Sequence, residues 1–405
     1  MTKLDELIQQ LCPDGVKYYT LNTICNVYDG THQTPQYTDS GIKFASVENI
    51  ADPYATEKYI SVSDYEKYKI KPQRNDLLMT RIGSIGVCTV IESDEPLAYY
   101  VSLALLRPDN SILNSRYLKY AIESLHCRKE LRKRTLVNAV PIKINMGDIG
   151  KITLPVPPLP VQREIVRILD NFTELTTELT TELTAELTAR KKQYEFYRDK
   201  LLDFAGNTDV KNVPLGGIAK FVYGYTDKAK ETGSVRFVRI TDISEDGRLN
   251  PYDAKYVELT DESKKYLLKK GDLLLARIGA TYGKTLYFEE DEPAVYASFL
   301  IKIILDNSVI KNRYYWHFSK SSLYWEQAER YVSKGGQQQF NTNAVSRVIV
   351  PIPSLEVQDR IIYVLDNFDA ICTDLSSGLP AEIEARQKQY EYYRDKLLTF
   401  REISN

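Results

Sequence analysis

The chain contains itself twice, at a constant offset of 196 residues. Leu154-Pro155-Val156-Pro157-Pro158-Leu159 returns as Val350-Pro351-Ile352-Pro353-Ser354-Leu355, and Ile168-Leu169-Asp170-Asn171-Phe172 as Val364-Leu365-Asp366-Asn367-Phe368. Lys192-Gln193-Tyr194-Glu195-Phe196-Tyr197-Arg198-Asp199-Lys200-Leu201-Leu202 returns as Lys388-Gln389-Tyr390-Glu391-Tyr392-Tyr393-Arg394-Asp395-Lys396-Leu397-Leu398. Solenoid units run to about 20–50 residues, so a period this long is a duplicated domain. Two copies in one chain can fold with pseudo-two-fold symmetry, which suits a two-part target or two copies of a partner.

Between the near-identical blocks the outline is kept while side chains change. Asp76-Leu77-Leu78-Met79-Thr80-Arg81-Ile82-Gly83 matches Asp272-Leu273-Leu274-Leu275-Ala276-Arg277-Ile278-Gly279, again 196 apart. One scaffold is expected to carry two different reading surfaces, joined by two alike connecting segments.

The segment after Pro155-Val156-Pro157-Pro158 is helical by period: Val161, Ile165, Ile168, Leu169 and Phe172 share one face. It runs into Thr-x-Glu-Leu repeats with Leu175, Leu179, Leu183 and Leu187, a stripe that drifts by about 40° per repeat. Glu174, Glu178, Glu182 and Glu186 repel at i,i+4, and seven threonines between Thr173 and Thr188 are weak helix formers, so packing must hold this helix. Between Phe172 and Arg190 lie 17 residues, and between Phe368 and Arg386 lie 17 again. The matched lengths predict two antiparallel helices acting as a spacer. In copy two, Ser376-Ser377-Gly378-Leu379-Pro380 should break the helix before it restarts at Pro380.

No apolar run approaches a membrane span, and Met1-Thr2-Lys3-Leu4-Asp5-Glu6 is no signal peptide. Five cysteines without a Cys-x-x-Cys imply a reducing, cytoplasmic setting. The 30 tyrosines suit wet interfaces. A net charge of -2 is unlike a protein that grips nucleic acid alone. The strongest basic run is His126-Cys127-Arg128-Lys129-Glu130-Leu131-Arg132-Lys133-Arg134, which reads equally as a phosphate contact or a solvated helix face.

Catalytic signals fail on inspection. Gly279-Ala280-Thr281-Tyr282-Gly283-Lys284-Thr285 is one residue short of a phosphate loop, and its counterpart Gly83-Ser84-Ile85-Gly86-Val87-Cys88 has no lysine. Asp52-Pro53-Tyr54 and Asn250-Pro251-Tyr252 each lack a proline of the adenine-methyltransferase motif and read as turns. His32, His126 and His317 have no ligand-like spacing, so no metal or cofactor is expected in this chain.

Over essentially all 405 residues the chain resembles the specificity (S, HsdS) subunits of type I restriction-modification systems. The resemblance rests on two variable domains, each followed by a Pro-rich run into a long helix, and on Thr184-Ala185-Glu186-Leu187 with its Thr-Thr-Glu-Leu neighbours. It implies an α/β (α+β) fold: two target-recognition domains with mostly β cores at 1–155 and 209–352, and spacer helices at 156–208 and 353–405, antiparallel and in pseudo-two-fold arrangement. It also implies a non-catalytic reader of a split double-stranded DNA target, docked by two methyltransferase subunits and by restriction subunits. S-adenosylmethionine, ATP and Mg²⁺ would belong to those partners, and repeat number would tune target spacing. The alternative is a non-catalytic scaffold that binds two protein partners. The sequence departs from the family's Gly-x-Thr-Pro loop: copy one has Thr31-His32-Gln33-Thr34-Pro35 after Gly30, and copy two has Tyr223-Gly224-Tyr225-Thr226 without the proline.

If DNA is the ligand, Arg or Lys reads guanine, Asn or Gln reads adenine, and Lys, Arg, Ser and Thr hold phosphates. The candidates in copy one are His32, Gln33, Thr34, Arg81, Arg132, Lys133, Arg134, Asn138 and Lys143. In copy two they are Tyr225, Thr226, Lys228, Arg277, Lys334, Gln337, Gln338, Gln339 and Asn341, the run from Lys334 to Asn341 being the foremost base-contact expectation. Arg81 and Arg277 stand at equivalent places, with phosphate contact, base reading and a buried salt bridge all open.

Overall fold

The computed structural model describes residues 2–33, 35–333, 338–373 and 378–403. Two compact units emerge, and neither is one contiguous copy. The first comprises Met1–Glu182 with Ile383–Asn405, the second Leu183–Glu382.

In the first unit the strand Leu77–Thr80 is buried at every position, which a solvent-facing strand could not be. Its side chains alternate between two cores. Leu77 and Met79 join Tyr117, Leu118 and Ala121 of the helix Ser115–Glu123, while Leu78 joins Ala45, Leu97 and Tyr99 of a second sheet. The first sheet is antiparallel in the order Cys25–Asp29, Leu103–Pro108, Leu77–Thr80, Cys88–Val90. The second runs Tyr37–Thr38, Tyr59–Ile60, Ile42–Ala45, Leu97–Tyr99, its last pair parallel. The layers are therefore helix, sheet, sheet.

The second unit repeats this plan. Ala219–Tyr223, Leu300–Leu305, Leu273–Ala276 and Thr285–Tyr287 form its first sheet, in the same order. Leu273 and Leu275 face the helix-side core with Tyr314, Tyr315 and Trp316, and Leu274 and Ala276 face the other.

The Pro-rich runs end each domain in a short antiparallel pair, Tyr18–Thr20 with Thr153–Pro155 and Lys211–Pro214 with Ile349–Ile352. The chain then enters the helix Leu159–Leu202, or in copy two the helix Leu355–Thr373, which is followed by Leu379–Leu397 with Pro380 in its first turn. Of the expected break Ser376-Ser377-Gly378-Leu379-Pro380, Ser376 and Ser377 lie outside the described residues.

Each helix is pinned to its domain by a fully buried glutamine. Gln162 accepts from the Asn114 amide (2.8 Å) and donates to the carbonyls of Ile112 (2.8 Å) and Pro157 (2.7 Å). Gln358 repeats this with the Lys311 amide (2.9 Å) and the carbonyls of Val309 (2.9 Å) and Pro353 (3.0 Å). Tyr117 and Tyr314 add hydroxyl donations of 2.9 Å to the carbonyls of Pro155 and Pro351.

Within the first unit the start of the long helix packs antiparallel on Ile383–Leu397: Phe172 stacks on Tyr393 at 5.7 Å, and the Thr173 and Tyr390 hydroxyls bond at 3.1 Å. Within the second unit the end of the long helix packs on Leu355–Thr373, with Tyr197 stacked on Phe368 at 5.6 Å. Asp395 accepts from the amide of Leu125 at the start of the helix Leu125–Arg134, as Asp199 does from that of Ser322. No residue from Thr173 to Lys192 is fully buried. Several threonine hydroxyls here donate to carbonyls one turn back, among them Thr181 to Thr177 (2.7 Å) and Thr188 to Thr184 (2.9 Å).

Where the first unit has Tyr120 bonded to Asp170, the second has His317. Its Nδ1 lies 3.1 Å from the Tyr194 hydroxyl and its Nε2 2.7 Å from Asp366, so the neutral ring is fully satisfied as acceptor and donor. Burial pushes its pKa down to about 4.

Gln162→Ala and Gln358→Ala should each orphan one buried amide and two carbonyls and lower stability by about 2–4 kcal/mol, read from urea midpoints of the full chain. Because the unfolded chain binds the His317 proton more readily than the folded one, stability should fall as pH drops from 6.5 to 4. The loss attributable to this residue is about 3 kcal/mol. His317→Gln should flatten that part of a stability–pH profile.

Candidate nucleic-acid interface

In the first unit, Arg81 ends a central strand under the glycine loop that follows Cys25–Asp29. Its guanidinium is buried, bonds Asp29 and donates through Nε to the Ile144 carbonyl at 3.3 Å. Asp29 also holds the exposed His32 at 2.9 Å, so one carboxylate joins the Gly30 loop to Arg81. Gln33 is exposed beside it, its amide bonded to the Thr31 hydroxyl; Thr34 lies outside the described residues. The segment from Thr135 to Ile144 closes over the same turn: the Gly83 amide donates to Ile142 and the Ile144 amide to Arg81. Asn138 and Lys143 on this segment are exposed. Glycine is required at residue 30 because a Cβ there would meet the Tyr100 carbonyl oxygen at 2.4 Å; Gly224 meets Ala297 in the same way at 2.3 Å.

The basic run is the helix Leu125–Arg134. Arg132 and Lys133 are exposed, but Glu130 pairs with both Lys133 (3.0 Å) and Arg134 (2.7 Å). Only part of the charge expected from the sequence is left to face a ligand.

The second unit brings together the equivalent backbone with other side chains. The Gly279 amide donates to Gln338 and the Phe340 amide to Arg277, so Gln338 and Gln339, both exposed, lie against the Arg277 turn. Lys334 and Gln337 lie outside the described residues. Tyr223 stands at the strand end that corresponds to Asp29, as the registers with Ile301 and Ala104 show. Arg277 lies over the rings of Tyr223 (5.3 Å) and Phe299 (5.5 Å) and donates to the Ser298 carbonyl. Among the described residues its contacts are these rings and this carbonyl, with no carboxylate. The buried salt bridge is thus the arrangement of Arg81, and a ring-stacked cation that of Arg277.

Tyr225 is half-buried against Tyr266, while Thr226 and Lys228 are exposed further along the loop. Asn341 caps the short helix Thr342–Val345, its Oδ1 accepting from the Ala344 amide at 3.1 Å. Sequence reasoning passed over Asp29, Tyr223 and Phe299. The signal for the first two was their place just before Gly30 and Gly224. In the turn after Gly279 the amides of Tyr282, Gly283 and Lys284 donate to carbonyls of their own turn and strand. Among the described residues no His, Cys, Asp and Glu group could hold a metal ion, and no helix is long and apolar enough to cross a membrane.

The type I restriction modification DNA specificity domain family matches residues 13–189 and again 207–385. The chain belongs to that specificity family. It is 35% identical over 299 residues to a Haemophilus influenzae protein named as a type I restriction enzyme specificity subunit, covering 71% of this chain and 73% of that one. It is 33% identical to the EcoR124I/EcoR124II specificity subunit of Escherichia coli, over 62% of this chain and 63% of that one. A chain solved in work on assembly and conformational transition of the type I restriction-modification system shares the fold. Its TM-score is 0.68 at 14% identity, with 95% of this chain and 98% of that one aligned.

For this specificity-family chain, Arg81→Met should cost about 1–3 kcal/mol, because it removes a buried guanidinium together with its bonds to Asp29 and the Ile144 carbonyl. Arg277→Met, which leaves no carboxylate behind, should cost under about 1 kcal/mol. Urea unfolding of the two variants separates the roles.

Proposed function

We propose that this chain is the non-catalytic DNA-recognition subunit of a type I restriction-modification complex, each unit reading one half of a split double-stranded target. One observation carries the reading: the same backbone cluster occurs twice with different side chains, Asp29, His32 and Lys143 in one and Tyr223, Gln338 and Gln339 in the other. Two half-sites of different sequence call for such a pair. Membership of the specificity family supports it.

With a net charge of -2, the chain relies on partners for most of its hold on phosphates. Two methyltransferase subunits are the partners that fit a duplicated surface. Each unit carries an equivalent exposed aromatic, Tyr392 beside Tyr393 and Phe196 beside Tyr197, next to the stacked pair of its helices. Restriction subunits complete the complex, and S-adenosylmethionine, ATP and Mg²⁺ act on the partners. The exposed rings and the helices that bear them serve docking and spacing, not chemistry.

The Thr-x-Glu-Leu repeats set the gap between half-sites. Deleting Thr180-Thr181-Glu182-Leu183 removes about 6 Å, close to one helical turn, so the flanking apolar faces stay nearly in phase. Base pairs are about 3.4 Å apart. The length removed permits a shift of one or two base pairs, and the resemblance to the specificity subunits favours one. Single-molecule sequencing of methylated DNA should reveal a split motif in cells carrying the system, and the same two half-sites one base pair closer in the deletion. A contiguous motif, or none, would overturn the recognition role; an unchanged gap would overturn the ruler.

A further inference from the structure

The loop that closes over Arg81 carries an unusual tip. Between Thr135 and Lys143 no side chain is charged, and four apolar ones are exposed: Leu136 (44%), Val137 (62%), Val140 (99%) and Ile142 (37%). Single exposed apolar residues are ordinary on protein surfaces, but four within seven positions form a patch. This patch is held in place. The Leu136 amide bonds the Lys143 carbonyl (2.8 Å), the Ala139 amide bonds Leu136 (3.2 Å), and the Gly83 amide bonds Ile142 (2.9 Å). A pre-shaped apolar tip loses little freedom on binding.

Its surroundings indicate what covers it. Lys143 follows the tip and Arg132 precedes it at the end of its helix, both exposed, with Lys133 beside Arg132 paired to Glu130. An apolar point flanked by cations complements the floor of a DNA groove between its phosphate walls. In the major groove the apolar feature of a base edge is the thymine C5-methyl. The topological counterpart in the second unit carries the amides of Gln338 and Gln339, which have the chemistry for hydrogen bonds instead. The two loops occupy equivalent positions and differ in the class of base feature they can read.

We propose that Val137 and Val140 are specificity-determining residues that recognise thymine C5-methyl groups in the half-site of the first unit. The proposal rests on the DNA-reading role stated above. The two valines reject cytosine or uracil at the contacted position because their methyl groups then face an unfilled gap.

The test uses the complete complex with its methyltransferase subunits and a fluorescent duplex bearing the mapped target, at fixed salt. Deoxyuridine, which lacks only the methyl, replaces thymine position by position on both strands. Within one half-site alone, affinity should fall about fourfold per contacted methyl, the worth of roughly one buried carbon. Val137→Ala with Val140→Ala should lose a similar factor on thymine DNA and show no further loss on deoxyuridine DNA. Both side chains are exposed, so the fold is not at risk. Deoxyuridine tolerated everywhere, a penalty undiminished in the double variant, or a first-unit half-site made only of G·C pairs would each overturn the proposal. In all three cases the complex still binds its target, so DNA reading stands; a complex without any target preference ends both.

Discussion

Each recognition domain meets its helix through one buried amide side chain, and the placement of everything else in the unit depends on it. Gln162 and Gln358 have no exposed surface, and each amide bonds three backbone groups from two directions: the loop before the helix Ser115–Glu123 or Asn312–Phe318, and the Pro-rich run. A buried amide left half-satisfied is costly, so this junction is close to all-or-none. Charged pairs surround it. Arg116 reaches Asp170 and Glu92, and Arg313 reaches Asp366 and Glu289, again in equivalent places. The central strand is thereby fixed relative to its helix, and the turn at Arg81 or Arg277 is delivered to a defined position.

On that common frame the two units diverge by single side chains with large electrostatic effects. An arginine is kept at the end of the central strand in both. In the first unit its charge is neutralised by Asp29, which also orients His32; in the second it lies over two aromatic rings, one of them Tyr223 at the same strand position. Arginine accepts both arrangements because its flat guanidinium can bond a carboxylate or stack on a ring. The first arrangement spends the charge internally. The second leaves it available, which makes Arg277 the better placed of the two to meet an anion.

The repeat segment follows a different logic. Its leucines drift around the helix, none of its residues is fully buried, and Thr180, Thr181 and Thr188 donate their hydroxyls to carbonyls of their own helix. A stretch with no committed core position can gain or lose a repeat without creating a cavity or stranding a polar group. The stacked ring pairs, Phe172 with Tyr393 and Tyr197 with Phe368, flank it on either side.

Much of this was legible in the sequence, because duplication and periodicity are local properties. The offset of 196 residues announced the repeated scaffold, the spacing of Val161, Ile165 and Leu169 marked the face that is buried, and Pro380 signalled the helix restart. Arg81 and Arg277 were visible as equivalents, but not that one is tied to Asp29 and the other stacked on Tyr223, partners more than fifty residues away in sequence. A period reports which side of an element is buried and says nothing of what buries it. Only the tertiary structure shows that Ile383–Asn405, the end of copy two, completes the unit built by copy one. Only it sets the loop from Thr135 to Lys143 against the Arg81 turn, because backbone hydrogen bonds between distant segments leave no trace in composition or pattern.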